Sequence, residues 1–256
     1  MSHRQEIVDQ FTRQAAQFAA SPTARSEDIL ERILRLARPG PADEALDVAC
    51  GPGLLVCALA ARVRHATGID LTPAMLEQAR RAQAAQGLAN ISWEQGDVTA
   101  LPYRDGRFDI VTCRFAFHHF PDPQRVLREM CRVCRAGGRV VVADSAPAAG
   151  KAAAFNAMEK MRDPSHTRAL PAEEMTALFV EAGLLEPVVE RTRLGLEVEE
   201  FLSRSYPREG DAARIRAMFE GALTNDAMDV KPQRAGGTIR FSVPVAIVAA
   251  QVPDGR

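Results

Sequence analysis

Asp47-Val48-Ala49-Cys50-Gly51-Pro52-Gly53 decides the fold, because this turn joins two segments of different period. Before it, Ala45-Leu46-Asp47-Val48-Ala49 reads as a short buried strand. After it, residues 54–63 carry apolar side chains at helical spacing. Glycines at 51 and 53 let the backbone turn sharply, and let a ligand come closer than a Cβ would permit.

The same alternation continues on the C-terminal side. Residues 67–70 close a second strand, and Thr72-Pro73 opens a helix that Gly87 stops. Residues 91–95 and 108–113 are a third and a fourth strand. Asp122-Pro123 caps a helix carrying Val126, Leu127, Met130 and Cys134, which Gly137-Gly138 ends, and residues 139–143 are a fifth strand. Short strands separated by helices signal βαβ units, hence a Rossmann-like α/β fold with a mostly parallel sheet and helices on both faces. Helices are expected at 151–162, 171–182, 197–205 and 211–222, and strands at 185–192 and 241–250. Toward the N-terminus, residues 1–20 read as a polar helix with Ile7, Val8, Phe11 and Phe18. A second helix opens at Ser26 and ends at Pro39-Gly40-Pro41. With no repeat or dividing linker, the chain reads as one unit: a helical cap over 1–40, a ligand-binding core over 41–148, and substrate-side helices and last strands over 149–256.

Three acids give the turn its chemistry. Asp70 ends the second strand, where a carboxylate can accept both hydroxyls of a ribose. Glycine turn plus acid therefore points to an adenosine-containing ligand, either NAD or S-adenosylmethionine. Val56 stands where G-x-G-x-x-G requires its third glycine. Asp47 lies where it would repel a pyrophosphate but attract a cationic amino acid moiety. Asp97, after the third strand, can accept from an adenine amino group. These details favour S-adenosylmethionine.

These motifs resemble those of class I S-adenosylmethionine-dependent methyltransferases. The stretches Phe108-Asp109-Ile110-Val111, His118-His119-Phe120 and Arg135-Ala136-Gly137-Gly138 are similar to the ubiquinone/menaquinone-biosynthesis-type branch, Methyltransferase type 11. The resemblance covers about residues 5–190. It implies a seven-stranded sheet ordered 3-2-1-4-5-7-6 with the last strand antiparallel, and methyl transfer to a small acceptor, with C- or O-methylation favoured. It also implies backbone contacts to the cofactor at Gly51 and Gly53, with Asp47 and Ala49 beside its amino acid part. Asp70 would hold the ribose, Leu71, Asp97 and Val98 the adenine, and Arg114 would face the methionine moiety. Ala49 replaces a common glycine, a change expected to matter little, and Phe18 replaces a common tyrosine.

His118, His119 and His166 are the candidates for a catalytic base, because histidine titrates near neutrality. Against that, one of the adjacent pair is expected to pack in its loop while the other faces solvent. Cys131 and Cys134 both fall on an expected helix and, with no second pair, do not read as a metal site. The cluster Phe155, Met158, Met161, Met175 and Phe179 reads first as core, but it lies where this fold tends to line the acceptor site, which favours an apolar or aromatic acceptor. The rival functions are an NAD-dependent oxidoreductase and an S-adenosylmethionine-binding protein without methyl transfer. A net charge of −1 leaves no footprint for nucleic acid, and no apolar run reaches the roughly 20 residues of a membrane span. Five scattered cysteines and a polar N-terminus point to the reducing cytoplasm.

Overall fold

Strand β1 (Glu44–Val48) is buried along its whole length, and its side chains alternate between two hydrophobic clusters. Ala45 joins one, while Leu46 and Val48 join the other. The computed structural model, which describes residues 2–20 and 27–254, surrounds this strand with a single twisted sheet. Around β1 lie β2 (His65–Asp70), β3 (Ile91–Gln95), β4 (Phe108–Arg114), β5 (Cys134–Ser145), β6 (Leu185–Glu197), β7 (Gln233–Ala235) and β8 (Thr238–Gln251). The order is β3-β2-β1-β4-β5-β8-β6, and β7 pairs only with β8. Strands β1 to β5 pair in parallel, and β8 runs antiparallel to both its long neighbours. The expected order therefore holds, with one addition: the hairpin strand β7, which Gly236 and Gly237 at positive φ turn back onto β8.

The helices are α1 (His3–Ala20), α2 (Glu27–Ala37), α3 (Leu54–Ala60), α4 (Pro73–Gln86), α5 (Pro123–Val133), α6 (Ala152–Arg162), α7 (Ala172–Glu181), α8 (Val198–Ser203) and α9 (Asp211–Asn225). Both faces of the sheet are covered. Ile33, Val56, Phe155 and Phe219 pack on one side, and Leu127, Met130, Met175 and Phe179 on the other. Among the described residues, no helix is long and apolar enough to cross a membrane.

One expectation requires correction. Helix α5 ends at Val133, one residue before Cys134, which is already extended (φ −79°, ψ 135°) and opens β5. The Cys134 thiol packs under Gly138, where an added Cβ would lie 2.6 Å from its sulfur. The strand therefore begins before the glycine pair instead of after it, and the two cysteines lie on different elements. The Met and Phe residues belong to the core, on both faces of the sheet: Phe155 and Met158 are fully buried on one, with Met161 packed against them, and Met175 and Phe179 on the other. The expected cap at Ser26 and the Phe18 side chain lie outside the described residues.

Candidate functional site

Beyond β1 the chain goes first to β2 and β3 on one side and then to β4 on the other. The carboxyl ends of β1 and β4 therefore flank the point where the order reverses, the usual ligand crevice of an open α/β sheet. A cavity of about 310 Å³ lies there. Its walls are the carboxyl ends of all four strands and the segments that follow them: Asp47, Ala49 and Gly51 at β1, Asp70 and Leu71 at β2, Asp97 and Val98 past β3, and Arg114 at the end of β4.

Asp70 organises this cavity. Its Oδ2 accepts from the Gly51 N–H at 2.8 Å and its Oδ1 from the Thr72 N–H at 2.8 Å. The second acid thus fixes the glycine turn, and each oxygen retains a lone pair for a ligand hydroxyl. Burial raises its pKa, against the opposing bonds from Thr72 and Gly51. Asp47 is pushed up to about 7 by burial, against the hydrogen bond from the Thr112 hydroxyl (2.7 Å) and the charge of Arg114. Arg114 is drawn down to about 10 by burial, opposed by Asp47, and its guanidinium lies 5.1 Å from the Phe115 ring centre. Burial acts to raise Asp97, but the amide and hydroxyl of Thr99 and the charges of Arg4 and Arg125 outweigh it and hold the carboxyl low.

The turn holds two surprises. The first is that Ala49 adopts φ +53°, in the left-handed region that disfavours a side chain, so the replacement of glycine there carries strain. The second is Gly53 (φ +77°), which does not line the cavity. An added Cβ would lie 2.4 Å from the Trp93 ring and 2.8 Å from Ala79, so this glycine permits close packing of strand and helix beneath the turn.

The sequence reading also missed the cavity's roof. His3, Arg4, Ile7 and Phe11 of α1 line it, Arg4 reaches to 3.5 Å from Asp97, and His3 Nε2 lies 2.8 Å from the His119 carbonyl oxygen. The signal available was the i, i+4 pair Ile7 and Phe11 on an otherwise polar helix.

A second chamber of about 90 Å³ adjoins the first, and Phe11, Phe115 and His119 line both. Leu194, Leu196, Phe201 and Val243 form its apolar wall. His118 and His119 sit in a 3-10 turn (Phe117–His119), and both are buried, contrary to the expectation that one faces solvent. His118 Nδ1 lies 2.5 Å from Asp144 Oδ1, and Asp144 Oδ2 accepts the His118 backbone N–H at 3.1 Å. A carboxylate accepts, so Nδ1 carries the proton and Nε2 is the nitrogen available to the chamber. Burial alone would lower the His118 pKa, but the charge and hydrogen bond of Asp144 outweigh it and hold it high. Asp144, fully buried on β5, was not legible as a site residue.

His119 Nδ1 lies 3.2 Å from the Ser165 carbonyl oxygen, which again leaves Nε2 as the free acceptor. Burial, then the charge of His118, push it down to about 3. His166 stands apart. It lines neither chamber, its Nε2 is 2.7 Å from Asn156 Oδ1, and burial with the two neighbouring histidines lowers its pKa. Its ring packs 5.4 Å from that of His118, so it braces the cluster from behind.

Residues 46–142 match the family model described as a methyltransferase domain. An uncharacterized methyltransferase of Bacillus subtilis, YcgJ, is 32% identical over 183 residues, covering 71% of this chain and 72% of that protein. The chain belongs to the methyltransferase-domain family. A demethylmenaquinone methyltransferase of Shouchella clausii is 34% identical over 168 residues, which are 57% of this chain and 72% of that one. The solved structure of the Bacillus subtilis YcgJ protein superposes with a TM-score of 0.81 at 25% identity, covering 88% of this chain and 98% of that one. In this methyltransferase the matched segment runs from β1 through most of β5, so it contains the residues that wall the first cavity from below.

Proposed function

We propose that this methyltransferase binds S-adenosylmethionine in the first cavity and transfers its methyl group to an oxygen or acidic carbon of a small molecule in the second chamber. The observation that carries the reading is the meeting of two chambers at Phe11, Phe115 and His119, one of them with a carboxylate at every position that adenosine and an amino acid require. The donor set fits that cofactor. Asp70 offers two lone pairs to a ribose, Asp97 an acceptor to an adenine amino group, and Asp47 a partner for a cation. Leu71 and Val98 supply apolar contact, and Arg114 a cation for a carboxylate.

When bound, the cofactor supplies a methyl group already activated by its sulfonium, so the protein mainly has to align the acceptor about 3 Å away and exclude water. Phe11 and Phe115 shield the junction. His119, neutral at physiological pH, presents Nε2 to the acceptor there. His118, oriented and made more basic by Asp144, is the group suited to take the proton the acceptor loses. In this scheme residues 41–148 serve the cofactor, 149–256 complete the acceptor side, and α1 roofs both. Five free, buried thiols support a reducing cytoplasmic setting.

Calorimetric titration with S-adenosylmethionine, S-adenosylhomocysteine and NADH tests the cofactor. Binding of the first two and not the third is expected, and binding of NADH alone would refute the reading. Screening acceptors for S-adenosylhomocysteine release tests the transfer. A saturated protein that releases none across phenols, enols and acidic carbon compounds would be a binding protein.

A further inference from the structure

Two arginines line the second chamber, and only one of them has a carboxylate within hydrogen-bond distance. Arg162 donates from Nε and Nη2 to a single oxygen of Glu159 at 2.8 and 2.6 Å, and from Nη1 to the Ser205 hydroxyl at 3.0 Å. Its guanidinium lies 4.7 Å from the Phe201 ring centre. Arg162 and Glu159 thus neutralise each other.

Arg204 differs in every respect. Its side chain is only 16% exposed, yet its Nε donates merely to the Glu200 carbonyl oxygen, at 2.9 Å. Among the described residues, the one carboxylate within ion-pair reach is that of Glu200, 3.8 Å from Nη2 on a side chain 45% exposed. Burial lowers the Arg204 pKa, Glu200 opposes this, and Arg162 adds to it. The remaining carboxylate of the lining, Asp163, accepts from the amide (2.9 Å) and hydroxyl (2.6 Å) of Ser165 and lies toward His119. A cation taken out of water without a close counter-charge is costly. The chamber also has an apolar wall beside that cation, and Arg204 does not border the cofactor cavity.

We propose that the methyl acceptor carries a carboxylate, which Arg204 receives while the apolar body lies along Leu194, Phe201 and Val243 and the reacting atom reaches His119. The inference rests on reading the two chambers as cofactor and acceptor sites. A carboxylate matches the guanidinium fork in shape and supplies the single negative charge that Glu200 provides only at a distance.

The test uses the full chain saturated with S-adenosylhomocysteine, titrated with benzoate, cinnamate and 2-naphthoate, each against its primary amide. At least one carboxylate is expected to bind about tenfold more tightly than its amide, the size of one charge-assisted interaction. Arg204→Gln should abolish that preference and leave S-adenosylhomocysteine affinity and melting temperature unchanged. Arg204→Lys should retain part of it. Equal binding of acids and amides, or a preference that survives in Arg204→Gln, overturns the inference while leaving the cofactor reading intact. Failure of S-adenosylhomocysteine to bind the wild-type chain overturns both.

Discussion

The first cavity and the second chamber differ in where their walls come from. Apart from its roof on α1, the first is walled by residues within a few positions of the carboxyl ends of β1 to β4. The second gathers residues from Phe11 to Val243, contributed by α1, the turn after β4, the end of β5, α6 and α8 with the turns that follow them, and the strands β6 and β8. The sheet dictates the first cavity, since parallel strands present their ends together. Only the folded chain assembles the second. A family can therefore keep its cofactor geometry while its acceptor chamber varies, because the two draw on different parts of the sequence.

The sharpest way to break this comparison is to injure the second chamber alone. Asp144→Asn is expected to lower kcat about 100-fold or more, within the range of a general base, and to leave S-adenosylmethionine affinity within twofold. A steady-state assay with methyl-labelled cofactor, paired with calorimetry, separates the two effects. Equal losses in both would mean that the chambers are not separable.

The converse injury is Asp70→Ala, expected to weaken S-adenosylmethionine about 100-fold. It removes two acceptor sites for the ribose and frees the Gly51 and Thr72 amides that hold the turn. Calorimetry reads it directly, and unchanged affinity would sink the ribose assignment.

Smaller still is the pH effect. With Asp47 pushed up to about 7, the carboxyl is neutral below that pH and cannot offset a cationic amino group. S-adenosylmethionine should bind about tenfold more weakly at pH 6 than at pH 8, since a single ionisation near 7 changes the charged fraction by that factor. Asp47→Asn should flatten the dependence, and a slope that persists in the variant would assign it to another group.

The smallest effect tests the turn itself. Ala49→Gly should relieve the left-handed strain and stabilise the chain by about 0.5–1 kcal/mol, the residue of that relief after glycine's greater freedom when unfolded. Urea unfolding measures it, and a destabilised variant would refute the strain.

What the sequence made legible follows the same division. Asp47, Gly51, Asp70 and Asp97 fall at strand ends, and their spacing along the chain already encodes their convergence. Asp144 gives no such signal, because it reads as the last polar residue of a strand and meets His118 only through tertiary packing. Cys134 was misplaced because helical periodicity runs through it, whereas its thiol is needed under Gly138. The roof on α1 left only a faint trace, since Ile7 and Phe11 look like any apolar pair on a polar helix. His166 was a candidate base because histidine titrates near neutrality, but packing turns it toward Asn156 and away from both chambers.

Trp93 is the only tryptophan of the chain. Its ring fills the space that a side chain at Gly53 or Gly68 would need, and its Nε1 donates to Gln83 Oε1 at 2.6 Å. The protein therefore carries an optical reporter directly beneath the turn, placed outside the cavity that it monitors. Indole emission responds to the polarity and rigidity of its surroundings, so its intensity can follow the ordering of the turn in a stopped-flow instrument without any label.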